Sequence, residues 1–254
     1  MEEIGGTTVR RFTVDHPRHL ESFNKLSGQL QARHSSASIE DQEEWMRAQG
    51  PMSSALLAYL TARQDRYDAF IFFGYLYATT YFGLPLVRDK AYLAPLAHEE
   101  WPIRFGMWDR FFALPKQLIF NTTSERDLIG RRFSEAKLDG PVAAVGIEPP
   151  PAADAERFRA RYQIRERFLL YVGRIDESKG CRWLIENFIA ARERGSIDAR
   201  LVLIGTEVMP IPFHDDVIHL GFVPEQEKWD AMAACDWLMM PSPHESLSMV
   251  LLES

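Results

Sequence analysis

The sequence predicts an α/β fold made of two domains, each with a doubly wound parallel sheet. Short apolar runs, such as residues 168–172, alternate along the chain with helical patterns, such as residues 181–195. Strands that alternate with helices form parallel sheets covered by helices on both faces. Three consecutive prolines at 149–151 fit neither a helix nor a central strand, and they predict a stiff connector. We therefore predict domains over residues 1–150 and 151–254.

The composition narrows the class of protein. With 254 residues, of which 46% are hydrophobic, the chain can fill one large core or two smaller ones. A net charge of -7 argues against nucleic-acid binding, which needs a basic surface. The two cysteines, Cys181 and Cys235, make neither a disulfide framework nor a zinc cluster. We expect both to be reduced, as in a cytoplasmic protein.

The first domain opens with a strand predicted over residues 7–14 by its β-branched residues, and helical spacing follows over residues 16–66. Residues 69–87 then form an uncharged run long enough to span a membrane. Its glycines, its proline and its hydroxyl groups instead favour a strand, a loop and a second strand.

The rest of this domain repeats the same alternation. We predict strands in residues 90–100, in residues 116–121 and in residues 140–148. Between the last two, Thr122 and Glu125 have the spacing of a capping box at the start of a helix.

In the second domain, four predicted strands end in small or polar residues. The strand ends are Gly173–Arg174, Gly205–Thr206, Gly221–Phe222 and Pro241–Ser242. Ligands of open parallel sheets bind beyond the carboxyl ends of the strands. We therefore expect these four ends to converge on one rim.

The loop after the first of these strands carries two cations, Arg174 and Lys179. Such a pair suits a diphosphate, because arginine binds phosphate through two hydrogen bonds and lysine adds a point charge. The loop is neither a P-loop nor a dinucleotide fingerprint. Taken alone, the loop is better explained as a solvated loop in which the two cations pair with Asp176 and Glu177.

The last ten residues predict a helix that begins near Glu245. The amides of Ser246, Leu247 and Ser248 would then form an anion site at its N-terminus. Glu253 would lie about 12 Å further along the axis and turned by roughly 80°, so the two carboxylates would contact different parts of a long ligand. Alternatively, Glu245 is a helix cap and Glu253 a surface residue.

Taken together, these motifs resemble the C-terminal domain of retaining glycosyltransferases of the GT-B type, in particular their large family four. The resemblance runs from about Phe168 to Ser254 through Arg-x4-Lys-Gly, Leu-Gly-Phe-Val, Pro-Ser and Glu-x7-Glu. Residues 120–133, 142–150 and 93–100 are more loosely similar to the N-terminal domain of the family. The resemblance implies two Rossmann-like domains that face a cleft.

The resemblance also assigns roles to catalytic residues. Arg174 and Lys179 would stabilise the departing diphosphate, and Glu245 would contact hydroxyls of the donor sugar. His98 would reach the donor sugar from the first domain. As a lone histidine, His98 also fits a structural role. A zinc motif His-Glu-x-x-His is excluded because residue 102 is proline.

The other implied positions hold the nucleotide. Glu253 would bond the ribose, and the backbone near Phe222 and Val223 would receive the base. The positions implied beside the phosphates are Gly173, Ser246, Leu247 and Ser248. The last three replace a glycine- and aromatic-containing stretch of the family. Their side chains would hinder close approach of the backbone to phosphate, and the hydroxyls of Ser246 and Ser248 would donate hydrogen bonds instead.

The implied activity is transfer of a hexose from a nucleotide-diphosphate sugar, with retention of configuration and without a metal or a cofactor. By analogy, the acceptor would be a saccharide or a glycolipid. The protein would be cytoplasmic, in peripheral contact with the inner face of a membrane. Two complete domains need roughly 300 residues, so we expect both domains to be incomplete and exposed sheet edges to favour self-association. The alternatives are a nucleotide-sugar-binding module without turnover and a structural fragment without a ligand.

Overall fold

The computed structural model describes residues 1–33, 36–148, 152–243, 245 and 247–254. The chain divides into two compact units, Met1–Val145 and Gly146–Ser254. Each unit contains a parallel sheet with helices, which confirms the predicted α/β class.

The first unit combines a three-stranded parallel sheet, in the order β3-β4-β5, with an antiparallel hairpin of β1 and β2. Its strands are β1 Glu2–Ile4, β2 Thr7–Val9, β3 Phe70–Phe73, β4 Ala91–Ala94 and β5 Gln117–Leu118. Its helices are α1 Leu20–Ala32, α2 Ile39–Gln49, α3 Ser54–Arg63, α4 Ala78–Gly83 and α5 Thr123–Arg132.

The prediction for residues 69–87 is wrong in its second half. β3 is followed by the helix α4 and by a 3-10 helix over Leu84–Lys90, where a second strand was expected. The small residue Gly83 lets this helix lie against α3, since a Cβ there would be 3.1 Å from Leu60 of α3. Helix α4 therefore packs closely on α3. No helix among the described residues is long and apolar enough to cross a membrane.

The strand predicted over residues 140–148 is also wrong. The described part of this segment makes a single parallel bridge, from Phe120 to Val142. Pro141 precedes it and has no N–H to extend a ladder. Gly140 passes so close to β5 that a Cβ there would stand 1.8 Å from the carbonyl oxygen of Leu118.

The second unit contains a four-stranded parallel sheet in the order β8-β7-β6-β9. Its strands are β6 Phe168–Val172, β7 Arg200–Ile204, β8 Val217–Gly221 and β9 Trp237–Leu238. Its helices are α6 Ala155–Tyr162, α7 Cys181–Glu193, α8 Glu225–Ala234 and α9 Met249–Glu253, and a 3-10 helix covers Glu177–Lys179.

Strand β6 is buried on both faces, as its apolar run predicts. Leu169 and Tyr171 pack in one cluster with residues of α7, including Leu184. Leu170 and Val172 point the other way, into a cluster with residues of α6 and α8. The alternation follows from the two-residue period of a strand, and it places helices on both faces of the sheet.

Helix α6 is fixed to α8 by a buried carboxylate. Arg157 donates from Nε and from its second guanidinium nitrogen to the two oxygens of Asp230, at 2.5 and 2.7 Å. The amide of Asp154 donates to the same carboxylate at 2.9 Å, and the Asp230 side chain is 1% exposed. The hydrogen bonds from Arg157 lower the pKa of Asp230 from 3.8 to about 2.

We predict that Asp230→Asn lowers the free energy of unfolding at pH 7 by about 2 kcal/mol, because an amide cannot accept all of these bonds. The pKa of this carboxyl is 3.8 in the unfolded chain and about 2 in the folded protein. This part of the stability is therefore complete above about pH 4 and is lost as the pH falls through the folded pKa. Urea unfolding of the parent, of Asp230→Asn and of the exposed control Glu193→Gln measures the effect. Equal stabilities of Asp230→Asn and the control at pH 7 would contradict it.

Candidate functional site

A pocket of ≈ 490 Å³ lies at the carboxyl ends of three neighbouring strands in the second unit. Residues at the ends of β6, β7 and β8 and in the first turns of α8 line it: Val172, Gly173, Arg174, Ile204, Gly205, Thr206, Phe222, Val223, Glu225 and Lys228. The pocket thus brings together four predicted site residues, namely Gly173, Arg174, Phe222 and Val223. Its apolar surface can receive a flat base, and its cations can receive an anion.

The strand ends run together because they are glycines. Gly205 has a φ of +139°, and a Cβ there would stand 1.9 Å from the carbonyl oxygen of Gly173. No other residue type fits so close a backbone contact. Phe222 lines this pocket and is 87% exposed, so its ring is available for stacking.

The loop after β6 is organised by Asp176. Its carboxylate accepts from the Lys179 amide at 3.0 Å and from the Ser178 hydroxyl at 2.6 Å, and it forms an ion pair with Arg174. Burial acts to raise the pKa of Asp176, but the bonds from Ser178 and Arg174 outweigh it and lower the pKa. Arg174 therefore has the carboxylate partner of the solvated-loop interpretation and also lines the pocket.

Lys179 has a different partner from either of the two proposed in that interpretation. Its Nζ lies 2.8 Å from Oε1 of Glu245, whereas Glu177 pairs with Arg182 at 2.5 Å. The contact spans two motifs that are far apart in the sequence. The Arg-x4-Lys-Gly loop and Glu245 are therefore neighbours in the fold.

A glycine allows this approach. Gly180 has a φ of +72°, and a Cβ there would stand 2.3 Å from the carbonyl oxygen of Pro241. The fourth predicted strand end, Pro241–Ser242, thus meets the loop after β6, and it is not among the residues that line the pocket.

The predicted start of the last helix is wrong. Helix α9 begins at Met249, and the Ser248 side chain caps it by accepting from the Leu251 amide at 3.3 Å. Serine is a favoured cap, so it starts the helix later than the position of Glu245 suggests. Glu245 precedes the helix, and the amides of Leu247 and Ser248 are not part of its first turn. The helical estimate of about 12 Å between the glutamates therefore does not apply.

Of the three residues expected to form the anion site, Ser246 lies outside the described residues. Leu247 and Ser248 are half-buried and precede α9. Their role at the phosphates stays a prediction.

Glu253 pairs with a residue of the pocket wall and does not itself line the pocket. Its Oε2 accepts from Nζ of Lys228 at 2.9 Å, its side chain is 13% exposed, and it is not among the lining residues. Lys228, which the sequence analysis missed, is the residue that faces the pocket. The sequence contained one signal for Lys228. A lysine near the N-terminus of a helix is unfavourable beside the helix dipole, so its presence there indicates a specific partner or role.

His98 lies in the first unit, in the loop after β4. Its Nε2 is 3.6 Å from Oε2 of Glu100, whose Oε1 accepts from the Tyr75 hydroxyl at 2.9 Å. Burial raises the pKa of Glu100. The loop is held by Glu125, which accepts from the amides of Ala97 and Asn121 at 2.6 and 2.7 Å. A role of His98 toward a donor sugar stays a prediction.

Within the described part of the chain, no group of three or more His, Cys, Asp or Glu side chains is placed to hold a metal ion.

Comparison with protein families gives a match for the unit that carries the pocket. Residues 166–254 match the family of glycosyl transferases group 1. A comparison with curated proteins gives no significant match.

Solved glycosyltransferases share the fold. HepE from Anabaena in complex with UDP is similar over 78% of this chain and 59% of its own, with a TM-score of 0.59 and 15% identity. The pneumococcal O-GlcNAc transferase GtfA, in complex with UDP and GlcNAc, matches over 78% of this chain and 42% of its own, with a TM-score of 0.51 and 11% identity.

The α,α-trehalose 6-phosphate synthase of Burkholderia multivorans matches over 91% of this chain and 66% of its own, with a TM-score of 0.51 and 14% identity. The fold is thus that of GT-B glycosyltransferases, as the sequence predicted. The chain spans 59% of the length of HepE.

We predict that Gly180→Ala is strongly destabilising and separates Lys179 from Glu245, because the new Cβ would meet the Pro241 carbonyl oxygen at 2.3 Å. Gly195→Ala is the matched control, with a φ of +65° and no atom within 4 Å of the added Cβ. The control should lose only about 1 kcal/mol from its strained backbone, and Gly180→Ala roughly 1–3 kcal/mol more. Urea unfolding of the two variants measures this difference, and equal losses would show that the close contact is absent.

Proposed function

We propose that this protein is a glycosyltransferase that takes a hexose from a nucleotide-diphosphate sugar. The observation that carries the proposal is the pocket at the ends of β6, β7 and β8, with Arg174 on its wall and the Lys179–Glu245 pair in the adjoining loops. The match of residues 166–254 to glycosyl transferases group 1 supports it independently.

The pocket suits a nucleoside diphosphate because its chemistry changes along the sheet edge. The end of β8 offers Phe222 and Val223, and the end of β6 offers Arg174. In the strand order these ends are two strands apart, or about 10 Å. A base at the first end and phosphates at the second match that separation.

In this proposal, binding of the donor changes the partners of the cations. Arg174 is 59% exposed in its side chain, and Lys179 is 35% exposed, so an incoming diphosphate can reach both. As Lys179 turns to the phosphates, Glu245 accepts hydrogen bonds from hydroxyls of the hexose. The two cations then stabilise the negative charge that develops on the departing diphosphate.

We extend the proposal to the remaining features of the reaction. The cations supply positive charge at the leaving group, so transfer proceeds without a divalent metal. The product retains the anomeric configuration, and His98 faces the donor sugar. The acceptor is a saccharide or a glycolipid, and the protein works in the cytoplasm, in peripheral contact with a membrane.

Donor binding is tested by thermal-shift titration and calorimetry with UDP, GDP and ADP. At least one nucleotide should bind the parent, and Arg174→Ala should weaken that binding about 10- to 100-fold, because a charge-assisted hydrogen bond contributes about 1.5–3 kcal/mol. The control Arg165→Ala removes an exposed arginine outside the pocket and should bind like the parent. Binding to none of the three nucleotides, or an Arg174→Ala variant equal to the control, would contradict the assignment.

Turnover is tested by nucleotide release from the corresponding sugar nucleotide in the presence of EDTA. The parent should release nucleotide, and Glu245→Gln should lower the rate at least tenfold while nucleotide binding persists, since Glu245 contacts the sugar. Equal rates in the parent and the variant would remove Glu245 from the mechanism. Binding without release would favour the alternative of a nucleotide-sugar-binding module.

A further inference from the structure

A second cavity lies in the first unit, between residues 14–19 and the helices α1 and α2. We propose that it binds a small organic carboxylate, whose charged group pairs with Arg18 and whose apolar skeleton lies against the cavity wall. This ligand is additional to the one proposed for the pocket at the ends of β6, β7 and β8, and the inference does not depend on that function.

The size and the wall of the cavity suit an organic molecule. Its volume is ≈ 650 Å³, which exceeds the ≈ 490 Å³ of the pocket in the second unit. Much of the wall is apolar, and these residues are Val14, Pro17, Phe23, Leu26, Ala48 and Pro51. Such a wall favours a ligand that buries an apolar skeleton over a bare inorganic ion.

Contacts around the cavity hold its walls in place. The segment before α1 is tied to the start of α3, because the Asp15 carboxylate accepts from the amide of Ser54 at 2.8 Å and from its hydroxyl at 3.0 Å. Helices α1 and α2 are joined by a hydrogen bond of 2.9 Å from Nε1 of Trp45 to the Ser27 hydroxyl. A ligand therefore meets walls that are already formed, and little free energy is spent on ordering them.

The guanidinium of Arg18 lies at the wall of this cavity. It donates from Nε to the carbonyl oxygen of Gln49 at 2.9 Å and from one terminal nitrogen to the same oxygen, and it lies 4.9 Å from the ring centroid of Phe23. Gln49 and Phe23 both line the cavity, so the charged group that contacts them is at the wall. These contacts fix the plane of the guanidinium.

Arg18 also has the capacity to bind an anion. An arginine has five N–H donors, and in the described part of the chain those of Arg18 that are used go to the single oxygen of Gln49. Its partner is thus a neutral carbonyl and no carboxylate among the described residues. A fixed guanidinium with spare donors matches the two oxygens of a carboxylate.

Arg47 also lines the cavity, but its charged group is directed to other residues. Its guanidinium pairs with Glu43 at 3.1 Å and lies 4.9 Å from the ring centroid of Phe82. Neither Glu43 nor Phe82 lines the cavity. Arg47 therefore contributes its apolar stem to the wall, and we assign the anion to Arg18.

The remaining polar residues narrow the class of ligand. Glu44 is the only carboxylate among the described residues that line the cavity. Its charge opposes a dianion more than a monoanion, which favours an organic carboxylate over a phosphate. The imidazoles of His16 and His19 line the cavity too, and within the described residues neither has a hydrogen-bond partner. They are available to polar atoms elsewhere on the ligand.

The experiment uses benzoate as the probe, because it joins one carboxylate to a flat apolar ring. Benzyl alcohol has the ring without the charge, and acetate has the charge without the ring. In NMR titrations of the parent, benzoate should bind about tenfold more tightly than either, since only benzoate combines a charge-assisted pair with burial of a ring. Phenyl phosphate, a dianion, should bind more weakly than benzoate.

Variants of Arg18 separate the ion pair from the shape of the cavity. Arg18→Met should weaken benzoate binding about tenfold and leave the binding of benzyl alcohol unchanged, because only the charged interaction is lost. Arg18→Lys keeps the charge without the two-pronged geometry and should fall between the parent and Arg18→Met. The control Arg63→Met removes an exposed arginine of α3 outside the cavity and should bind benzoate like the parent. Thermal unfolding establishes that each variant is folded.

Several results would overturn the assignment. They are a parent that does not bind benzoate, equal affinities of the parent for benzoate and benzyl alcohol, and tighter binding of phenyl phosphate than of benzoate. Equal benzoate affinities of Arg18→Met and Arg63→Met would remove Arg18 from the site. Equal losses of benzoate and benzyl alcohol in Arg18→Met would show that Arg18 only supports the cavity.

The variant Arg174→Ala distinguishes this site from the pocket in the second unit. It should bind benzoate like the parent, and a loss of benzoate binding would place the carboxylate at Arg174 and refute the second site. The proposed function is judged separately by nucleotide binding. A parent that binds benzoate through Arg18 and binds no nucleotide would refute the proposed function and support the second site.

Discussion

Parallel pairing of β6, β7 and β8 is the constraint on which the site depends. It places three carboxyl strand ends at one edge of the sheet, and their loops must leave that edge in the same direction. Gly173 and Gly205 allow two of those ends to touch through their backbones. The pocket forms above this contact, with polar side chains from the loops on its walls. The chemistry of the site follows from where the strands stop.

Each cation at or beside the pocket is held by a carboxylate: Arg174 by Asp176, Lys179 by Glu245, and Lys228 by Glu253. Each pair balances the positive charge of its cation and fixes the direction of that group. A diphosphate must compete with these carboxylates, so part of its interaction energy replaces existing ion pairs. On binding, the charged ligand thus replaces the internal carboxylate as the partner of the cation. In our proposal, Glu245 contacts the donor sugar once Lys179 binds the phosphates.

The buried parts of the second unit could be predicted from the sequence because local pattern and environment agree there. The apolar run of β6 fits a strand covered on both faces, and the glycine after it marks a close backbone contact. The predictions were wrong for two kinds of reason. Helix α4 packs on α3 through Gly83, a contact between elements that the local pattern does not record. Helix α9 begins after the local cap Ser248, which competes with Glu245 as the start of the helix.

At the site, the sequence predicted which loops carry charge but not which groups pair. The contact between Lys179 and Glu245 depends on the approach of Gly180 to Pro241, far away in the chain. The pair of Lys228 and Glu253 joins two helices, so helical spacing within either one could not reveal it. Side-chain partners across elements are set by the packing of the sheet, which residue patterns do not record.

The most direct test of the central claim is a crystal structure of this chain with the nucleoside diphosphate that binds it most tightly. The account predicts phosphate oxygens within hydrogen-bonding distance of Arg174 and Lys179, and a base against Phe222 and Val223. A nucleotide bound elsewhere, or one whose phosphates lie at the β8 end of the pocket, would contradict it.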